Sequence, residues 1–147
     1  MKDKKIKNVF VNGAITSEFI AKSISKHQSK TDIGAHNIFL GQVRADKIDD
    51  KEVCAIDYTA YEEMANLKFH EIREDTFEKF NLTCMHIYHS LGEVKAGEIC
   101  LFVFVSSPRR KEVYLALEHV VENIKANAPV FGKEVFADNS HQWKLNS

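Results

Sequence analysis

Pro129 constrains the fold of this chain more than any other residue. It separates an amphipathic run ending Lys125-Ala-Asn-Ala from the apolar stretch Val130-Phe-Gly-Lys133-Glu134. Proline lacks an N–H and drives its predecessor out of the helical region, so a helix must stop here and an extended segment begin. Lys125 then rides on the last helical turn and Lys133 on the strand that follows. If the chain doubles back, both ammonium groups converge on one anionic ligand. Lysines at helix C-termini also complement the helix dipole, so this stretch alone leaves capping and ligand binding both open.

The other segments alternate in type. Residues 6–11 read as a short strand, and Thr16-Ser17-Glu18 caps a helix with Ile20 and Ile24 on its apolar side. Residues 33–43 form an apolar strand, and 45–52 a polar loop with Asp49 and Asp50 as turn formers. Residues 53–61 form another strand, followed by a helix over 62–80 with Ala65, Phe69, Ile72, Thr76 and Phe80 at helical spacing. Strands over 82–89 and 98–106 flank a loop from Gly92 to Gly97. Pro108 opens a helix whose buried stripe is Val113, Leu117, Val120, Val121 and Ile124. A strand over 130–136 and a polar tail carrying Trp143 complete a single α+β domain, residues 1–147, with about three helices and an antiparallel or mixed sheet.

Composition narrows the function. A net charge of -1 excludes a broad basic face for nucleic acid, so any anion site is a local cluster. The basic segment Met1 to Lys7 is followed by no apolar signal region, and no run is long enough to span a membrane. Cys54, Cys84 and Cys100 lie in strand-like apolar contexts and read as buried free thiols in a reducing cytoplasm.

Metal and nucleophile signatures are weak. His86 and His89 are an odd number of residues apart on a strand and face opposite ways. His70-Glu71 lacks the second histidine of a zincin helix, because position 74 is Glu, and His119 with Glu122 reads as a surface pair. No metal or cofactor is expected. Cys100 sits among Ile99, Leu101 and Phe102, which disfavours a thiolate, and no glycine loop fits a phosphate or dinucleotide motif. Arginines are more informative. Arg44 follows a strand end, while Arg109 and Arg110 sit at a helix start. Cations there oppose the helix dipole, an arrangement that a bound phosphate or carboxylate rationalises.

Five motifs occur in a recognisable order: Gly41-Gln-Val-Arg44, Tyr58-Thr-Ala-Tyr61-Glu-Glu-Met64, His89-Ser-Leu-Gly92, Ser106-Ser-Pro-Arg-Arg110, and Lys125 through Glu134. From about residue 33 to 143 the chain resembles the large catalytic subunit of molybdopterin synthase. That resemblance implies an α/β hammerhead fold and a central homodimer within a heterotetramer. Its partner would be a small ubiquitin-like sulfur carrier ending in a Gly-Gly thiocarboxylate. Its reaction would convert cyclic pyranopterin monophosphate to the dithiolene of molybdopterin, without a metal or other cofactor. By position, the family's catalytic lysines fall on Lys125 and Lys133, with Lys133 expected to be the more chemically engaged. Arg44, Arg109, Arg110 and Glu134 join them in substrate binding, the paired arginines reaching the neighbouring protomer's pocket.

Three positions depart from the family pattern. Arg109 replaces a histidine, Gly132 stands where a tryptophan is common, and Ser90 replaces an arginine. Gly132 is expected to loosen the backbone beside Lys133. The departures keep a second reading open, a non-catalytic dimeric scaffold for the small subunit or a phosphorylated ligand. A general anion-binding domain is a third.

Overall fold

A computed structural model describes residues 6–145. Its elements run β1 (Phe10–Asn12), α1 (Ser17–His27), β2 (Ala35–Gln42), β3 (Lys47–Ile48), β4 (Lys51–Ala60), α2 (Glu62–Lys79), β5 (Cys84–Lys95), β6 (Ile99–Ser107), α3 (Arg110–Asn127), β7 (Val130–Phe136) and β8 (His141–Trp143). The strands are ordered β2-β6-β5-β4-β7-β8, with β1 added to β5 and β3 to β4. Only the β1–β5 pairing is parallel among the described residues, which makes the sheet mixed and the fold α+β.

The helical stripes read from sequence mostly bury the core, although Leu117 is half-buried with Ala116 in its place and Phe80 lies just past α2. Ala65, Phe69, Ile72 and Thr76 of α2 join Val113, Val120, Val121 and Ile124 of α3 in burial. They pack against Leu101, Val103 and Val105 of β6. Phe102 and Phe104 alternate to the other face and pack against Ile15 and the Phe19, Ile20 and Ile24 side of α1. The Thr16 hydroxyl accepts from Phe19 N at 3.1 Å and caps α1 as expected. His119 bonds Asp75 of α2 at 2.8 Å, so it ties two helices together rather than pairing with Glu122.

Several boundaries differ from the sequence reading, each for a physical reason. The polar segment at 45–52 is a hairpin, since Asp49 and Asp50 both adopt positive φ between β3 and β4 and match the strand twist. No loop begins at Gly92. Its φ of 83° lets β5 bend where it leaves β6 and joins β4, and the strand continues to Lys95. The tail adds a strand, β8, beside β7. Helix α3 starts at Arg110, so Pro108 precedes the helix instead of opening it, and its carbonyl lies where a Cβ on Gly34 would have to sit, 2.2 Å away. Cys84 and Cys100 are buried but Cys54 is exposed, because a register break between Val53 and Ala55 turns it outward. No helix among the described residues is long and apolar enough to cross a membrane.

Candidate active site

After the helix stop that Pro129 imposes, β7 folds back on β4. Gly132 lies opposite Tyr58 and Glu134 opposite Ile56. Beside them open two adjoining cavities. One, of about 290 Å³, is lined by Tyr58, His89, Lys125, Gly132 and Lys144 among others. The second, of about 300 Å³, is lined by Gly41, Arg44, Tyr58, Cys100, Lys125, Glu134 and Lys144 among others. Tyr58, Lys125 and Lys144 therefore belong to both walls. Two ammonium groups and a guanidinium around a concave polar surface suit an anionic ligand.

Neutral hydrogen-bonding groups form the floor. Tyr58 donates its hydroxyl to Cys100 Sγ at 3.3 Å, and that thiol reaches Gly41 O at 3.4 Å. Burial raises the Tyr58 pKa above its ordinary 10.0, with the Cys100 and Glu134 charges pushing the same way, so the phenol remains a donor. His89 Nδ1 lies 2.8 Å from Ser90 O, which requires an N–H on that nitrogen. Burial lowers the His89 pKa to about 4; the Ser90 carbonyl opposes this shift and the Lys125 charge reinforces it. His89 is thus a neutral imidazole beside a cation at physiological pH.

A model of the MoaE protein family matches residues 14–127 of this sequence. The chain belongs to the MoaE protein family. The Bacillus subtilis molybdopterin synthase catalytic subunit is 34% identical over 129 residues, which are 88% of this chain and 78% of that protein. Its Emericella nidulans counterpart is 36% identical over 121 residues, 82% of this chain and 62% of the relative. The chain thus spans under two thirds of the fungal relatives it matches, 65% in the Aspergillus niger protein. A crystal structure of molybdopterin synthase from Staphylococcus aureus superposes with a TM-score of 0.80 at 28% identity, covering 96% of this chain and 99% of the other. A complex of subunits 1 and 2 of molybdopterin-converting factor from Helicobacter pylori shares the fold, with a TM-score of 0.77 at 22% identity, covering 91% of this chain and 87% of that one.

In this MoaE family member the expected site residues separate into two groups. Lys125, Arg44 and Glu134 are together on the cavity walls. Arg44 also pairs with Asp46 at 3.3 Å, and the buried Glu134 carboxylate accepts from Gln142 Nε2 at 3.2 Å. Lys133 lines neither cavity. Alternation along β7 puts Gly132 and Glu134 on the cavity side and aims Lys133 the other way, across from Asp57. The expected convergence of Lys125 and Lys133 therefore does not occur within the chain. Arg109 and Arg110 are exposed at the opposite end of α3. Arg110 precedes Lys125 by a helical path of about 22 Å at 1.5 Å per residue, so one chain cannot place both on one small ligand.

The second lysine of the cavity is Lys144, which sequence reasoning passed over in what read as a polar tail. Its backbone N–H donates to Gly132 O at 2.8 Å, which holds it level with the cavity side of β7. Tyr58 and His89 carried recognisable motifs but had no assigned role. Gly132 is not a loose hinge, because β4 and the Lys144 N–H bond its strand from both sides. What the position requires is space: a Cβ there would lie 2.9 Å from Ile56 Cγ2 and 3.2 Å from the Tyr58 ring. A tryptophan at 132 would need Ile56 to move and Tyr58 to give way.

Proposed function

We propose that this chain is the sulfur-transfer subunit of a molybdopterin synthase, acting on cyclic pyranopterin monophosphate with a small thiocarboxylated partner. The observation that carries the reading is the cavity pair, in which Lys125, Lys144 and Arg44 meet at the turn after α3. Membership of the MoaE family and the names of its relatives supply the substrate class.

Each transfer forms a carbon–sulfur bond on the pterin side chain as the carbon–oxygen bond at that carbon breaks, its oxygen leaving on the phosphate or as water. Water then cleaves the acyl–sulfur bond of the tail, leaving a carboxylate. Two anions must approach each other for this, the phosphorylated substrate and the thiocarboxylate, and cations on the cavity wall lower that repulsion. We assign Lys125 to the developing negative charge and Arg44 to the phosphate. Glu134 and the neutral Tyr58 and His89 orient the ligand by hydrogen bonds. Arg109 and Arg110 complete the cavity of a second protomer in a homodimer, which, with one small subunit on each chain, makes a heterotetramer. Lys133, facing away, contributes to the surface.

Purified chain, thiocarboxylated small subunit and precursor should yield the dithiolene product. Tight binding of the partner with no product supports the scaffold reading instead, which is motivated by Arg109 and Gly132, where histidine and tryptophan are common. Reaction in a compartment with reduced thiols, the cytoplasm, fits the free cysteines.

A further inference from the structure

On the sheet face away from the proposed reaction cavity, three chemically soft side chains meet. Cys84 and His86 are two residues apart on β5 and so project from the same face. His27, the last residue of α1, is laid over them with its ring stacked 4.8 Å from Phe104. His27 Nε2 and His86 Nε2 are 2.9 Å apart. The two ring nitrogens and Cys84 Sγ all lie within 4.8 Å of one another. Tetrahedral or trigonal bonds of roughly 2.0–2.3 Å put ligand atoms about 3–4 Å apart, so modest side-chain rotation closes this set on an ion.

We propose that His27, Cys84 and His86 form a binding site for a thiophilic transition-metal ion, zinc(II) or copper(I), that clamps α1 to the sheet. Two features of the surroundings support it. His27 Nδ1 lies 2.7 Å from Ser23 O, so that nitrogen carries the proton and Nε2 presents its lone pair to the site. A backbone carbonyl fixing the far nitrogen of a ligating histidine is the usual outer-shell arrangement of protein metal sites. The Lys30 ammonium is 2.9 Å from Cys84 Sγ, a charge-assisted donor suited to a thiolate.

The proton balance is simple. Without metal, His86 Nε2–H donates to His27 Nε2. On binding, the His86 proton moves to its own Nδ1, the Cys84 thiol releases one proton to solvent, and both Nε2 lone pairs and the thiolate bond the ion. Lys7, Lys30 and Arg73 surround the site with positive charge. Because Cys84 is its sole anionic ligand, a monovalent ion meets less repulsion than a divalent one. Cys84 is buried at 5% exposure and His27 at 7%, which leaves the cluster little water to compete with a metal ion. The sequence reading excluded the pair His86 and His89, and the structure puts those two on opposite faces of β5. It missed His27, whose approach depends on how α1 crosses the sheet.

The test titrates the full chain with zinc(II), and anaerobically with copper(I), against a chromophoric chelator, with X-ray absorption of the loaded protein. The proposal expects one equivalent bound per chain, a mixed nitrogen and sulfur shell, and slowed hydrogen exchange in α1. Cys84→Ser and His86→Gln should each weaken binding at least ~100-fold, more than the loss typical of an outer-shell change, while Cys54→Ser binds as wild type. If Cys84→Ser fails to fold, the wild-type ligand shell and the His86→Gln and Cys54→Ser titrations decide. Failure of both ions to bind stoichiometrically overturns the proposal, as does binding unaffected by the variants that fold or a shell without sulfur.

Discussion

Replacing Lys125 with alanine lowers dithiolene formation by about 100-fold or more at saturating partner and precursor, the loss expected when one preorganised donor to developing charge is removed. The expectation rests on position. Lys125 is shared by both cavities and acts electrostatically on the buried His89. Lys144→Ala removes the other ammonium shared by both cavities and costs roughly tenfold. Lys133→Ala stays within about threefold of wild type, because the side chain lines neither cavity. Thermal unfolding of all three variants separates lost chemistry from lost fold. A Lys133→Ala variant as impaired as Lys125→Ala would contradict the register argument and restore the pairing read from sequence.

Acid should destabilise the fold through His89. Its ordinary pKa is 6.5 and burial lowers it to about 4 in the folded chain. Above pH 6.5 the ring is neutral in both folded and unfolded states, and its full contribution is present. As pH falls from 6.5 towards 4, the unfolded chain binds a proton that the folded chain refuses, so stability declines; below about 4 the slope from this group levels off. The interval corresponds to about 3 kcal/mol at 1.36 kcal/mol per unit. The groups facing the ring are Tyr58 of β4 at 5.1 Å, Phe10 of β1 at 6.2 Å and the Lys125 charge of α3, and none of them offers a carboxylate to hold the proton. Denaturant unfolding at intervals from pH 7 to 4, with His89→Gln alongside, isolates the effect. Across the interval the variant should lose about that much less stability than wild type, and equal losses would contradict the assignment.

The sequence carried most of the architecture because its signals were local. Periodicity placed α2 and α3, Pro129 ended α3, and Thr16 capped α1. Its misreadings were about what happens between elements. Gly92 reads as a loop residue in isolation, but as a bend inside β5 once β4 and β6 compete for that strand. Cys54 alternates correctly only if no residue is bulged. The cavity was half legible. Lys125 and Arg44 stand at element ends and could be named from punctuation and motif. Lys133 and Lys144 could not be distinguished, because the choice depends on the register of β7 against β4 and on a tail strand too short to show periodicity. The matched family region also stops at residue 127, before either lysine.

The two arginines at the start of α3 leave the most consequential claim, that a second protomer completes each cavity. Mixing Lys125→Ala and Arg110→Ala chains under exchange conditions tests it in one measurement. About half of the resulting dimers are mixed, and in each of those one of the two cavities has both Lys125 and Arg110 intact. The account predicts that turnover recovers to about one quarter of wild type, well above either parent variant. Turnover no greater than the mean of the two parents would contradict a cavity shared between chains.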